Sequence, residues 1–486
     1  MRQCIKLRQF MGEAVFKKGS EVILTIDGLA LGGKGFSRRQ NYVFFVERGL
    51  PGQIVRVMIK KVKPNYAEAR VLEVLTESQD AMKPVCSHFG VCGGCLLQNL
   101  RYEKQLESKR NQVTETLRHL GGFLNFQASE ALGSPDSYFY RNKMEYSFSD
   151  SRWLAPEEMN SGNTTPTDNF SLGLHVSERH DKVLDIDACY LCSEESNGIL
   201  NAVRDWTKYS DVPPYSLKQH TGFWRFLVFR RGIFTSDFMI NLVTANEPSY
   251  FQAVDRLSDH ISANFPFVST IVHNINRKKA QIAVGDEQRV IYGPGYITEK
   301  LNSNLFRISA NSFFQTNSKQ AVHLYEKIIE LGEFTDRDIV YDLYSGTGSI
   351  AVTIAKQVQR VIGIELVEAA IDDAEKNCQL NTINNCVFIQ GDLKDVIVDT
   401  ETLISSYGRP DKIIIDPPRS GMHPDVPEMV MKLNAERIIY VSCNPATMAR
   451  DLKELCNQQY DLKAAFPVDM FPHTPHCEVV SLLIHR

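Results

Sequence analysis

Apolar positions along the chain follow three different rhythms. From Ser20 to Leu75, short β-branched runs alternate with polar residues, and segments 21–26, 42–46, 54–60 and 67–75 read as strands. Glycines 28, 32, 33, 35, 49 and 52 read as the turns between them. Segment 102–120 spaces Leu106, Val113, Leu117 and Leu120 as one helix face and stops at Gly121 and Gly122. Segment 156–169 is rich in Ser, Thr and Asn and reads as an exposed loop. Between residues 138 and 293 strand patterns dominate, at 143–149, 226–231, 238–243, 270–276 and 281–284.

From Asp338 apolar strands alternate with helical stretches. Strands are expected at 339–343, 360–365, 387–390, 412–416, 437–442 and 478–485. Such alternation builds βαβ units and a mostly parallel, doubly wound sheet covered by helices on both faces. The expected fold class is therefore multidomain α/β. An N-terminal barrel over 15–77 precedes a β-rich middle domain over 78–310 and a doubly wound α/β domain over 311–486.

Charge changes the picture for the barrel. The whole chain carries a net −4, yet residues 15–77 hold 11 Lys/Arg against 6 acids, +5, which leaves −9 elsewhere. A basic module on an acidic body is the asymmetry of an appended RNA-binding domain, and it favours a barrel of the oligonucleotide-binding type over one that serves packing alone. Arg38-Arg39, Lys60-Lys61-Lys63 and Arg277-Lys278-Lys279 are candidate phosphate contacts. No apolar run is long enough to span a bilayer, and residues 1–10 lack the apolar block of a signal peptide, so a cytoplasmic protein is expected. Eleven cysteines in a reducing compartment then point to metal or catalytic thiols rather than disulfides.

The candidate chemistry sits at the ends of the C-terminal strands, where open α/β sheets bind ligands. The first ends in Asp-Leu-Tyr-Ser-Gly-Thr-Gly at 342–348, whose glycines let backbone approach a ligand. Glu365 ends the second, 19 residues beyond Gly346, where a carboxylate accepts hydrogen bonds from ribose hydroxyls. Asp392 follows the third, within reach of an adenine amino group. Position 351 is Ala, so the third glycine of a dinucleotide loop is missing, and no Lys-Ser/Thr pair marks a triphosphate loop. That pattern favours S-adenosylmethionine over a nicotinamide cofactor.

The fourth strand leads into Asp416-Pro-Pro-Arg419 and the fifth into Cys443-Asn-Pro445. Arg419 stands where amino-methylating enzymes place an aromatic ring, which argues against N-methylation. A thiolate at position 443 adds to C6 of uracil and makes C5 an enolate carbon able to take a methyl group. The strand-to-helix turn is expected to lower the pKa of Cys443. Glu478, entering the last strand, is the candidate base for the C5 proton. Cys86, Cys92 and Cys95 have C-x5-C-x2-C spacing, with Cys189 and Cys192 further along. By spacing alone they suit either zinc or an iron–sulfur cluster. A flipped-out base is required, because a stacked uracil does not reach a recessed thiol; Phe313 and Phe314 either flank that base or belong to the core.

Together, Asn-Ser-Phe-Phe-Gln-Thr-Asn at 311–317, the loop at 342–348, Asp-Pro-Pro-Arg at 416–419, Ser-Cys-Asn-Pro at 442–445 and His-Thr-Pro-His-Cys-Glu at 473–478 resemble the bacterial RNA uracil-5-methyltransferases. The branch acting on 23S ribosomal RNA is the most similar. The likeness extends over nearly the whole chain from about residue 15. It implies an N-terminal TRAM domain, a 23S ribosomal RNA substrate and no obligate protein partner. It implies that Gln315, Tyr344, Glu365 and Asp416 contact S-adenosylmethionine, with Asp392 a further contact. Cys443 is by implication the nucleophile and Glu478 the base. Cys86, Cys92, Cys95 and Cys189 are implied ligands of a [4Fe–4S] cluster, with Cys192 the rival for the fourth place. Ser345 and Cys477 depart from the family's usual Cys and Val without touching a chemical role. Two alternatives stay open: the same reaction on transfer RNA, and a non-catalytic iron–sulfur RNA-binding or assembly factor.

Overall fold

The computed structural model describes residues 16–39, 42–154 and 169–486. The N-terminal ten residues and positions 156–168 of the expected loop lie outside them. The chain divides into two compact units, one reaching to Lys83 and including Asn99–Lys104, the other made of Pro84–Gln98 and Gln105–Arg486.

In the first unit, strands β1 (Glu21–Thr25), β2 (Gly28–Leu29), β3 (Gly35–Arg39), β4 (Tyr42–Glu47), β5 (Ile54–Val62) and β6 (Tyr66–Thr76) form one sheet in the order β1-β5-β6-β4-β3-β2. Alternation puts Leu24, Phe44, Val46, Val55, Val57, Ile59, Ala67 and Ala69 in its core. Gly28 and Gly35, expected as turns, are strand residues. A side chain at Gly35 would meet the Gly49 carbonyl at 2.5 Å, and one at Gly28 the Phe36 ring at 2.9 Å. These glycines mark close approach rather than a bend.

Most of the helix Tyr102–His119 belongs to the second unit. The buried face of this helix keeps only part of the expected apolar stripe and adds polar residues. Gln105, Lys109 and Gln112 are buried beside Val113 and Leu117, while Leu120 lies exposed beyond the helix end. Strands β7 (Lys143–Ser149), β8 (Ser171–Val176), β9 (Arg179–Asp185), β10 (Trp224–Arg231), β11 (Phe238–Ala245), β12 (Thr270–Asn276) and β13 (Glu287–Tyr292) make a seven-stranded sheet, ordered β13-β12-β11-β10-β7-β8-β9. Only the β11–β12 pair is parallel. The helices Glu194–Lys208 and Phe251–Asn264 share a core with this sheet through Ile199, Val203, Leu257 and Ile261. Residues 281–284, expected as a strand, are a loop. The Arg225 guanidinium donates to the Lys278 and Ala280 carbonyls at 2.6 and 2.5 Å, which holds the preceding turn off the ladder.

After the hairpin β14 (Tyr296–Leu301) and β15 (Asn304–Ser309), the α/β sheet follows. It comprises β16 (Ile339–Leu343), β17 (Arg360–Glu365), β18 (Cys386–Gln390), β19 (Lys412–Ile415), β20 (Arg437–Ser442), β21 (Tyr460–Val468) and β22 (Glu478–His485). Its order is β18-β17-β16-β19-β20-β22-β21, parallel except for β22, which runs against both neighbours. The chain steps outward from β16 to β18 and then returns to lay β19 beside β16. Doubly wound sheets bind their ligands at such a reversal, here beyond the carboxyl ends of β16 and β19. The two seven-stranded sheets of this unit are joined by packing, since Met239 and Val272 share a core cluster with Phe306, Phe314, Val340 and Ile414. Among the described residues no helix is long and apolar enough to cross a membrane.

Candidate active site

The glycine loop after β16 is shaped by its backbone. Tyr344, Gly346 and Gly348 all take left-handed φ, at 66°, 53° and 72°. A Cβ on Gly348 would lie 2.9 Å from Ala374 and 3.1 Å from the Phe388 ring, whereas one on Gly346 would meet nothing within 4 Å. Glu365 ends β17 and accepts from the Gly346 N–H at 2.9 Å and the Val367 N–H at 2.8 Å. This carboxylate thus pins the loop from the position expected to meet a ribose. Asp392 caps the helix Leu393–Val396, accepting from the Lys394 N–H at 3.2 Å. Tyr344 is half-buried, and burial, reinforced by Asp451 and Asp392, pushes its hydroxyl up to about 12. Beneath the loop, Asp342 is enclosed and raised to about 8 by burial, then by the Asp416 and Glu365 charges.

Gln315 lies just ahead of the helix Ser318–Gly332 and is half-buried. Its carbonyl accepts from Asn142 Nδ2 at 2.8 Å. Arg230, buried in β10, reaches the carbonyls of Ala310 and Ser312 and so fixes the segment leading to Gln315. Sequence reasoning missed both residues, because nothing local ties an Asn or an Arg to a loop so far along the chain. The two phenylalanines separate cleanly. Phe314 packs in the core against Phe306, and Phe313 is 71% exposed beside the loop, its carbonyl 3.5 Å from Thr347 Oγ1.

The candidate reacting groups converge from three strand ends. Asp416 follows β19, Cys443 follows β20, and Glu478 opens β22, with Val479 paired to Ser442. Cys443 is half-buried and feels the charges of Glu478, Arg419 and Asp416, with a side-chain hydrogen bond from Arg419. Its thiol is raised rather than lowered, correcting the expectation from the strand-to-helix turn. Burial and the Glu478 carboxylate outweigh Arg419 and the helix Pro445–Gln458 that starts just beyond. Burial, with Asp416 beside it, pushes Glu478 up to about 8, and Asp416 itself rises to about 6. A carboxyl poised near neutral pH beside a partly accessible thiol is the pairing that proton removal coupled to thiol chemistry requires. Arg419 was read from sequence only as a missing aromatic ring. Its role as the cation next to Cys443, also 3.4 Å from His476 Nδ1, appears only in three dimensions.

Cys86, Cys92, Cys95 and Cys189 line one cavity of about 510 Å³, whose wall also carries Arg141 and Lys143. Cys192 is not on that wall. Its thiol lies 3.2 Å from the Tyr146 hydroxyl and 3.4 Å from the Cys189 carbonyl. Among the described residues no three His, Cys, Asp or Glu side chains close on a single point as ligands of one metal ion.

A family model described as tRNA (Uracil-5-)-methyltransferase matches residues 256–486, and one described as TRAM domain matches residues 15–72. An uncharacterized RNA methyltransferase of Chlorobaculum tepidum is 42% identical over 96% of this chain and 97% of its own. Another, from Bacteroides thetaiotaomicron, is 39% identical over 94% and 99%. Among solved structures, Pyrococcus abyssi tRNA (uracil-54, C5)-methyltransferase in complex with S-adenosyl-L-homocysteine superposes with a TM-score of 0.74 at 28% identity, covering 95% of this chain and 99% of that one. The likeness embraces the β domain, the middle sheet and the α/β domain together, and with it the chain belongs to the RNA uracil-5-methyltransferase family, as a member with an N-terminal TRAM domain.

Proposed function

We propose that this enzyme transfers the methyl group of S-adenosylmethionine to C5 of a uridine in 23S ribosomal RNA through a covalent bond to Cys443. The observation that carries the reading is the grouping of Cys443, Glu478, Asp416 and Arg419 at adjacent strand ends. Cys443 adds as thiolate to C6, and the ring electrons move into an enolate. C5 then takes the methyl group, leaving S-adenosylhomocysteine. Glu478 removes the C5 proton, the C5–C6 double bond re-forms, and Cys443 leaves as thiolate. Arg419 offsets charge at the thiolate, and Phe313 offers a face for a flipped base. Gln315, Tyr344, Glu365, Asp392 and Asp416 surround the methyl donor in this reading.

Cys86, Cys92, Cys95 and Cys189 would hold a [4Fe–4S] cluster. One zinc ion needs its sulfurs about 2.3 Å from a single centre. Thiols lining a cavity of about 510 Å³, with the Arg141 guanidinium on its wall to offset negative charge, suit the larger group. Such a cluster would contribute folding energy and fix the loops that ligate it.

Transfer RNA is the rival substrate, favoured by the likeness to a transfer RNA uracil-54 enzyme. Incubation with labelled S-adenosylmethionine and unmodified ribosomal or transfer RNA decides between them. The expected product is 5-methyluridine in 23S RNA; label confined to transfer RNA would move the assignment there. Cys443→Ala should abolish turnover, and Glu478→Gln should trap a methylated protein–RNA adduct. Normal product release by Glu478→Gln would remove Glu478 as the base.

A further inference from the structure

The cysteine cavity and the loop that carries Glu478 are far apart in sequence but share one set of struts. Leu96 and Leu97 directly follow Cys95, and both donate their backbone N–H to the His473 carbonyl, at 2.9 and 3.0 Å. Gln105, fully buried, completes the joint: its Oε1 accepts from the His473 N–H at 2.9 Å and its Nε2 donates to the Leu97 carbonyl at 2.9 Å. A second strut runs from Cys189. The carbonyls of Tyr190 and Leu191 accept from the N–H groups of Phe139 and Arg141, both at 2.8 Å. From the same segment the Tyr140 hydroxyl donates to the Pro472 carbonyl at 3.2 Å, and the Tyr138 ring lies 4.3 Å from the His473 ring. Phe139 and His473 hold left-handed φ of 54° and 65°. For Phe139 this conformation is uncommon and marks a backbone held by its surroundings, whereas His adopts it more readily. Both struts end on residues 472–473, five to six positions before Glu478.

We propose that Gln105 is a positioning residue for Glu478, and that the cysteine loops act through it and through Tyr140 to hold the base where it meets the C5 proton. This rests on Glu478 being the base. The cysteine-lined cavity then has a mechanical link to proton removal, with no electron transfer involved. Disorder in the Cys95 or Cys189 loop would be passed to the last loop of the α/β domain while leaving the methyl-donor loop untouched.

The test uses full-length enzyme with Gln105→Ala and, as a milder change, Tyr140→Phe, with Gln105→Glu as the conservative variant that keeps an acceptor for the His473 N–H. Both of the first two should speed amide hydrogen exchange in residues 470–478 while exchange at 342–348 stays unchanged. Both should lower kcat, by about tenfold to a hundredfold for Gln105→Ala, with KM for S-adenosylmethionine unchanged and methylated adduct accumulating. Gln105→Glu should recover part of kcat. Cys95→Ser should reproduce the local exchange change. Unchanged exchange at 470–478 in both variants, or slowed turnover with no adduct while Glu478→Gln does trap one, would overturn the proposal. Failure of Glu478→Gln to trap an adduct would instead take down the catalytic reading on which it rests.

Discussion

Glu478 and Asp342 are carboxyls whose burial sets their behaviour with pH. The base proposed here, Glu478, would act only when ionised, and its pKa is raised to about 8. Turnover limited by proton removal should therefore rise about tenfold per pH step below that value and level off above it. Measured kcat that stays flat from pH 6 to about 8 would mean another step limits the enzyme. Asp342 makes a prediction about stability instead. Its folded pKa, about 8, lies above the ordinary carboxyl value, so the neutral form is the one the fold favours. The associated stability is fully present below the unfolded pKa and is lost as pH rises through the folded value. Asp342→Asn should flatten that decline, seen as urea midpoints that change less between about pH 5 and pH 9 than in the parent enzyme.

Helix Glu368–Leu380 shows how one element ties several parts of the site. Asn377, fully buried, donates to the Thr347 carbonyl in the glycine loop at 3.1 Å and accepts from the Arg307 N–H in β15 at 2.8 Å. Asn377→Ala leaves both backbone groups without this partner, a cost of about 1–3 kcal/mol for each that stays buried. Denaturant unfolding should register that loss, and calorimetry should show weaker S-adenosylmethionine binding as the loop loosens. Elements of this sheet were largely legible in the sequence, because parallel strands buried on both faces read as continuous apolar runs, such as 339–343 and 437–442. Strand β21 escaped notice since Lys463 and Pro467 interrupt its pattern, which an edge strand tolerates. The glycine loop, Cys443 and Glu478 stood out in the sequence because the proposed chemistry restricts residue type there, and the fold brings them to neighbouring strand ends. The polar face of Tyr102–His119 did not stand out. Lys109 is buried against Asp469 at 2.5 Å, 360 positions away, and no local pattern announces such a partner.

At the level of the whole molecule, binding RNA is a matter of cationic surface free to meet phosphate, and four of the TRAM domain's 11 Lys/Arg are already paired with acids. Lys34 and Lys61 pair with Glu68, Lys60 pairs with Glu47, and Arg56 pairs with both Glu21 and Glu73. A lysine held by a carboxylate has less attraction left for a phosphate. Arg38 and Arg39 are exposed at the end of β3, and the Arg38 guanidinium lies over the half-buried Phe36 ring at 5.0 Å. An arginine beside a partly exposed aromatic ring is the arrangement that holds a nucleic-acid backbone and stacks a base. Removing one cation from a phosphate should lower the salt dependence of binding by about 1 in log–log slope. Replacing Arg38 and Arg39 together by Ala should thus weaken RNA binding and reduce the slope by about 2, with kcat at saturating RNA unchanged. Lys60→Ala, which frees Glu47 while removing one charge, should change the slope far less. Filter binding from 50 to 200 mM salt, about the range over which such charges are felt, measures both. Equal slopes for the double arginine variant and the parent enzyme would exclude this edge of the TRAM domain from the RNA interface.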